Sequence, residues 1–116
     1  MIDRELDIQT SDGEMNTFIT HPDENGPHPL IVFLMDAPGK REELHDMARR
    51  YGSAGYYDML PNLYYRPVRA FDFETEGREK MREHMESISN ARVCTDISAL
   101  LECAASDTAA RGGNIG

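Results

Sequence analysis

No stretch of this chain approaches the roughly 20 consecutive apolar residues that a membrane-spanning helix needs. The opening MIDRELDIQT is also too polar to hold the apolar core of a secretion signal. The expectation is a soluble, cytoplasmic protein with no membrane partner. Basic residues are scarce: 12 Lys and Arg stand against 21 Asp and Glu, a net charge of −9, and they do not gather into a stripe that could track phosphates. Nucleic acid is therefore not an expected partner. Cysteine occurs only at positions 94 and 103, nine residues apart in a segment that reads as helix. A rise of about 1.5 Å per residue separates the two by roughly 13 Å and turns them to opposite faces, so they suit neither a disulfide nor a shared metal. Both are expected to be reduced, structural residues.

Catalytic motifs are missing too. A nucleophile elbow reads G-x-S-x-G or G-x-C-x-G between a strand and a helix, because the glycines permit the crowded turn that exposes the nucleophile. Neither pattern occurs in the 116 residues. Ser53, in Gly52-Ser53-Ala54-Gly55, follows a glycine directly and closes a helix instead of opening one, while Cys94 sits mid-helix between Val93 and Thr95. His21, His28, His45 and His84 show no H-x-x-x-H or HExxH spacing, and each falls in a polar loop or on a solvated helix face. No metal and no other cofactor is expected. Asp36-Ala37-Pro38-Gly39 lacks the further glycines of a phosphate loop.

What is present reads as one α/β domain over residues 1–116. Leu6 and Ile8 alternate with polar neighbours, SDGEM at 11–15 supplies a turn, and NTFITHP resumes an extended pattern, which together predict an opening hairpin. LIVFLM at 30–35 predicts a strand buried on both faces of a sheet. In KREELHDMARRYGSAG, residues Leu44, Met47, Ala48 and Tyr51 predict one buried helix face, with Glu42 and Glu43 at its start and Arg49 and Arg50 near its end suiting the helix dipole. YYDMLP follows as another strand, so strand, helix and strand form a crossover unit of a parallel sheet. Residues 61–73 read as an aromatic-rich loop of the length often found over a site. Met81, Met85 and Ile88 predict the core face of a middle helix. Val93, Ile97, Leu100, Leu101 and Ala104 predict another helix from about Asn90, and Gly112 and Gly113 precede a strand beginning at Asn114.

In open parallel sheets ligands bind beyond the carboxyl ends of strands. Those ends carry Asp36 and Ala37 after one strand and Asn62, Tyr64, Tyr65 and Arg66 after the next. Asp36 and Arg66 read either as a polar pair in a substrate cleft, or as a helix-start residue and a solvated loop charge. Position alone leaves both open.

Residues 27–66, PHPLIVFLMDAPGKREELHDMARRYGSAGYYDMLPNLYYR, resemble the N-terminal part of the dienelactone hydrolase family, through MDAPG, REEL, GYY and LPNLYYR. The likeness extends back to DGEMNTFITHP and forward through VCTDISALLE to GGNIG. It implies part of an α/β-hydrolase fold: an opening hairpin, then parallel strands with flanking helices, the sheet incomplete. It also implies a small-molecule ester or lactone substrate, cleaved through a Cys (or Ser), His and Asp triad. GGNIG corresponds to the strand that runs into the elbow, so a G-x-C-x-G or G-x-S-x-G is expected within about ten residues after Gly116, with none of the triad in this chain. The Ala37 backbone N–H is implied as half of an oxyanion hole, Asp36 as the acid beside the nucleophile, and Tyr64 and Arg66 as pocket residues, Arg66 contacting a substrate carboxylate. Asn62 stands where the family often has Asp. Asp58, on an inner strand, either finds a partner or weakens the fold. The 30–35 strand is implied to be central and left with an uncovered edge, which would drive self-association. A concentration-independent, monodisperse melt would count against that. The alternative is a small acidic α/β binding module without catalysis.

Overall fold

The computed structural model describes residues 1–23, 26–107 and 110–115, the last five as backbone. Strand β1 (Ile2–Thr10) pairs antiparallel with β2 (Gly13–His21) across a two-residue loop, from Ile2 opposite His21 to Thr10 opposite Gly13. The Asp12 N–H donates to Thr10 Oγ1, which itself donates to the Gly13 carbonyl, so the threonine closes the turn. Strand β3 (His28–Val32) leads through helix α1 (Glu42–Ser53) to β4 (Tyr57–Pro61), which lies parallel beside β3. Helices α2 (Phe73–Met85) and α3 (Asn90–Ala105) follow, and then β5 (Ala110–Ile115). The five strands run in the order β1-β2-β4-β3-β5. The hairpin and the crossover are as the pattern predicts.

Period-two alternation assigns the two faces of the sheet. Ile8, Met15, Ile19, Leu30, Tyr57 and Met59 pack against Leu100 and Ala104 of α3, while Phe18 and Leu60 pack against Leu44 and Ala48 of α1. Gly55, at φ 105°, lets the chain leave α1 and turn into β4, its N–H donating to the Gly52 carbonyl.

Several expectations are corrected by packing. The buried stripe of α1 is Leu44, Ala48 and Gly52, while Met47 and Tyr51 are exposed. The small residues let the helix lie close to the sheet: a Cβ at position 52 would come within 3.3 Å of Oγ1 and Cγ2 of Thr20. Strand β3 stops at Val32, and the 30–35 run is not buried on both faces. Phe33 and Met35 are half-buried against the cluster of Phe18, Leu44, Ala48 and Leu60, while Leu34 on the other side of the chain is 44% exposed. The edge of β3 is not open along its whole length either, since β5 pairs parallel with His28 to Leu30. In α2 the buried residue is His84, and Met85 faces out, so the methionines are not its core face. Gly77, at φ 83°, kinks this helix. Strand β5 begins at Ala110, ahead of the expected Asn114, and includes both glycines.

The histidines are not solvated. His21, His28 and His84 are buried and His45 is half-buried. A flat imidazole packs as an aromatic ring where a ring awaits it: His21 stacks on Tyr57 at 5.1 Å and His45 on Phe18 at 4.4 Å, and His84 meets Phe71 edge-on at 5.0 Å. Cys94 is exposed and Cys103 half-buried, both unbridged, with burial pushing the Cys103 thiol up. Among the described residues no helix is long and apolar enough to cross a membrane.

Candidate functional site

The run that follows β3 rises from the sheet at its carboxyl end. Phe33 N–H still donates to the Met59 carbonyl at 2.8 Å, after which the chain leaves the ladder and turns at Asp36 to Gly39, where the Gly39 N–H donates to the Asp36 carbonyl at 2.9 Å. Gly39 holds φ 92°, a conformation a side chain would strain, and its Cα faces the rings of Phe71 and Tyr64. Among the described residues the N–H of Ala37 has no acceptor. A small cleft of about 210 Å³ opens there, lined by Met35, Asp36, Ala37, Tyr64, Met85 and Ile88.

Tyr64 is buried, and its hydroxyl donates to the Ala37 carbonyl at 2.7 Å. That bond fixes the plane of the peptide following Ala37 and so limits how the Ala37 segment can rotate. Burial, aided by the charge of Asp36, pushes the Tyr64 hydroxyl up, so it stays a donor at ordinary pH. Tyr64→Phe is expected to cost about 1 kcal/mol of stability and to speed amide exchange across residues 36–39. Unchanged exchange there would show that the bond does not hold the loop. Asn62 secures the loop that carries Tyr64. Its Oδ1 accepts from the Tyr64 N–H and its Nδ2 donates to the Arg69 carbonyl, a donation an aspartate could not make.

Asp36 and Arg66 lie in this region of the sequence but are not paired with each other. Asp36 receives two hydrogen bonds from the Arg41 guanidinium, one of them 3.1 Å from Nη2 to Oδ2, and Arg41 also donates to the Gly39 carbonyl at 2.9 Å. These bonds hold the Asp36 carboxyl below the usual carboxylate range. Nor does Asp36 cap α1, whose N-cap is Arg41 with no side-chain cap. Arg66 is no solvated loop charge either. It donates to both carboxylate oxygens of Asp96 at 3.0 and 3.1 Å, donates from Nε to Asp12 at 2.8 Å, and stacks 4.7 Å over the Tyr65 ring. Sequence reasoning missed both partners. Arg41 follows Asp36 by five residues with no regular element between them, and the available signal for Asp96 is that it shares a helix face with Leu100 and Ala104, a charge where the pattern is apolar.

The model of the dienelactone hydrolase family matches residues 15–116. The chain belongs to that family. A curated relative from Yersinia pestis, described as "Putative carboxymethylenebutenolidase", is 27% identical over 94 residues, covering 80% of this chain and 35% of its own length. A second of the same description, from Methylorubrum extorquens, is 28% identical over 99 residues, covering 85% of this chain and 34% of its own. The chain thus spans about a third of the length of the curated relatives it matches. Its fold is that of the crystal structure of a "Putative Dienelactone Hydrolase" from Klebsiella pneumoniae, with a TM-score of 0.84 at 22% identity, covering 98% of this chain and 47% of the other. The architecture is therefore the N-terminal part of an α/β-hydrolase fold, as the motifs implied.

Proposed function

We propose that this domain serves an ester or lactone hydrolase in which the nucleophile, Cys or Ser, and its His and Asp partners lie outside residues 1–116. One observation carries the reading. Strand β5 runs parallel beside β3, so its carboxyl end points to the same edge of the sheet as the Asp36–Ala37 loop with its unspent N–H. A nucleophile presented just after β5 would face Ala37 across that edge.

The chemistry follows from the parts. A thiolate or alkoxide adds to the substrate carbonyl, and the carbonyl oxygen takes up negative charge. The Ala37 N–H, without another acceptor among the described residues, donates to that oxygen as one half of the hole, and the N–H following the nucleophile completes it. Collapse breaks the C–O bond, the leaving oxygen takes a proton from the His partner to give the alcohol, and water then releases the acid from the acyl-enzyme. Asp36 stands beside the nucleophile. Its bonds to Arg41 turn the carboxylate toward the start of α1, so it acts there as a fixed charge and not as a free base.

None of the candidate nucleophiles of this chain meets the requirement. Cys94 and Cys103 lie within α3, and Ser53 ends α1 with its hydroxyl donating to the Arg50 carbonyl. Purified 116-residue chain is expected to leave 4-nitrophenyl acetate at its background rate of hydrolysis. Turnover that co-purifies with the chain and survives removal of contaminating esterase would overturn the assignment of the nucleophile to other residues.

A further inference from the structure

The cleft beside Ala37 has an unusual lining for a family expected to place an arginine there. Met35, Met85, Ile88 and the ring of Tyr64 supply its apolar walls, and Asp36 is the charged side chain among its lining residues. Arg66 cannot serve it: its side chain is 11% exposed, and its guanidinium is taken up by Asp96 and Asp12. Arg41 is bound to Asp36 and the Gly39 carbonyl. The Tyr64 hydroxyl is spent on the Ala37 carbonyl. A carboxylate entering the cleft would lose its water and, among the described residues, find no free side-chain donor and only the Ala37 N–H to replace what it lost, since the Arg41 guanidinium is already spent on Asp36. An apolar group would instead cover Met85, which is 45% exposed at the end of α2. At about 210 Å³ the space is smaller than the roughly 300–1,000 Å³ of a whole ligand pocket, so it accepts one substituent of a substrate.

We propose that this wall of the pocket selects an uncharged, apolar acyl or alkyl substituent over a carboxylate-bearing one, with Met35, Met85 and Ile88 as its specificity-determining residues. The proposal rests on the reading that the Asp36–Ala37 loop borders the reacting carbonyl.

A matched pair of probes tests it on the 116-residue chain labelled with ¹³C in the methionine methyls. 4-Phenylbutan-2-one and 3-phenylpropanoate have nearly the same shape and differ in charge. The Met35 and Met85 signals, assigned through Met35→Leu and Met85→Leu, are expected to shift with the ketone at a concentration at least about fivefold below that needed for the carboxylate, the unpaired charge being the penalty. Met85→Arg, at an exposed position, is expected to reverse the order. Equal or tighter carboxylate binding at those two methyls would overturn the selectivity while leaving the site in place. If neither probe moves them, no substrate group seats there, and the placement of the pocket wall falls with the selectivity. A Met85→Arg chain that gains no carboxylate binding would likewise overturn the assignment of Met85 to the wall.

Discussion

Replacing Asp58 by valine is expected to stabilise the chain strongly at pH 8 and less than half as much at pH 5. Asp58 lies in the middle of β4, opposite Thr20 of β2 and Ile31 of β3, and is fully buried. Neither of its carboxylate oxygens has a hydrogen-bond partner among the described residues. It shares the α1 face of the sheet, where Leu44, Ala48, Phe18 and Leu60 form an apolar cluster. Desolvation therefore raises its carboxyl from 3.8 to about 7. The folded state holds this proton more tightly than the unfolded state does. Stability is thus fully present below pH 3.8, declines as pH rises from there, and levels off above about pH 7. A rise of that size is worth on the order of 4 kcal/mol. Asp58→Val removes the group that must either ionise in an apolar layer or keep a proton the solvent would take, and a β-branched residue suits the strand. Urea unfolding at pH 5 and pH 8 should show wild-type midpoints falling with pH and variant midpoints nearly level. A variant weaker than wild type at both values would mean that the carboxylate is satisfied and that the penalty is illusory.

The opposite sign is expected for the ion pair that ties α3 to the loop after β4. Asp96 is 1% exposed and receives the Arg66 guanidinium on both oxygens as well as the Tyr65 hydroxyl at 2.7 Å. Arg66→Met leaves that carboxylate buried with one neutral donor and should cost about 3–5 kcal/mol. Asp96→Leu should cost less, since Arg66 retains Asp12 on the exposed side and can turn toward water. The double replacement should be more stable than Arg66→Met alone, because it removes the charge that the single change strands. A double-mutant cycle by chemical denaturation measures this directly. Single variants close to wild type, with an additive double, would show that the pair is a surface contact of little consequence.

The legible and illegible parts of this protein divide along physical lines. The hairpin, the crossover from β3 through α1 to β4, and the extent of α3 follow from apolar periodicity and from glycine at turns, properties of a dozen neighbouring residues. MDAPG and LPNLYYR carried the family for the same reason, as short contiguous strings. The pairing of charges was not local. Arg66 finds Asp96 thirty residues on in α3, not Asp36, and Asp36 is held by Arg41 through a turn with no period to read. The burial of His21 and His84 depends on Tyr57, Phe71 and Tyr64, which the fold brings to them from other elements.

The order and type of most elements, the family, and the placing of the Asp36–Ala37 loop at a strand's carboxyl end could be read from near neighbours along the chain. Which face of α1 is buried, where β3 stops, that Tyr64 braces Ala37 and that Arg66 is taken up by Asp96 came from packing across the fold. Packing also sets Met35, Met85, Ile88 and the Tyr64 ring around Asp36 in the cleft beside Ala37. Those outcomes depend on which surfaces meet across the sheet, and a side chain's charge or size does not name its partner until packing has brought one within reach.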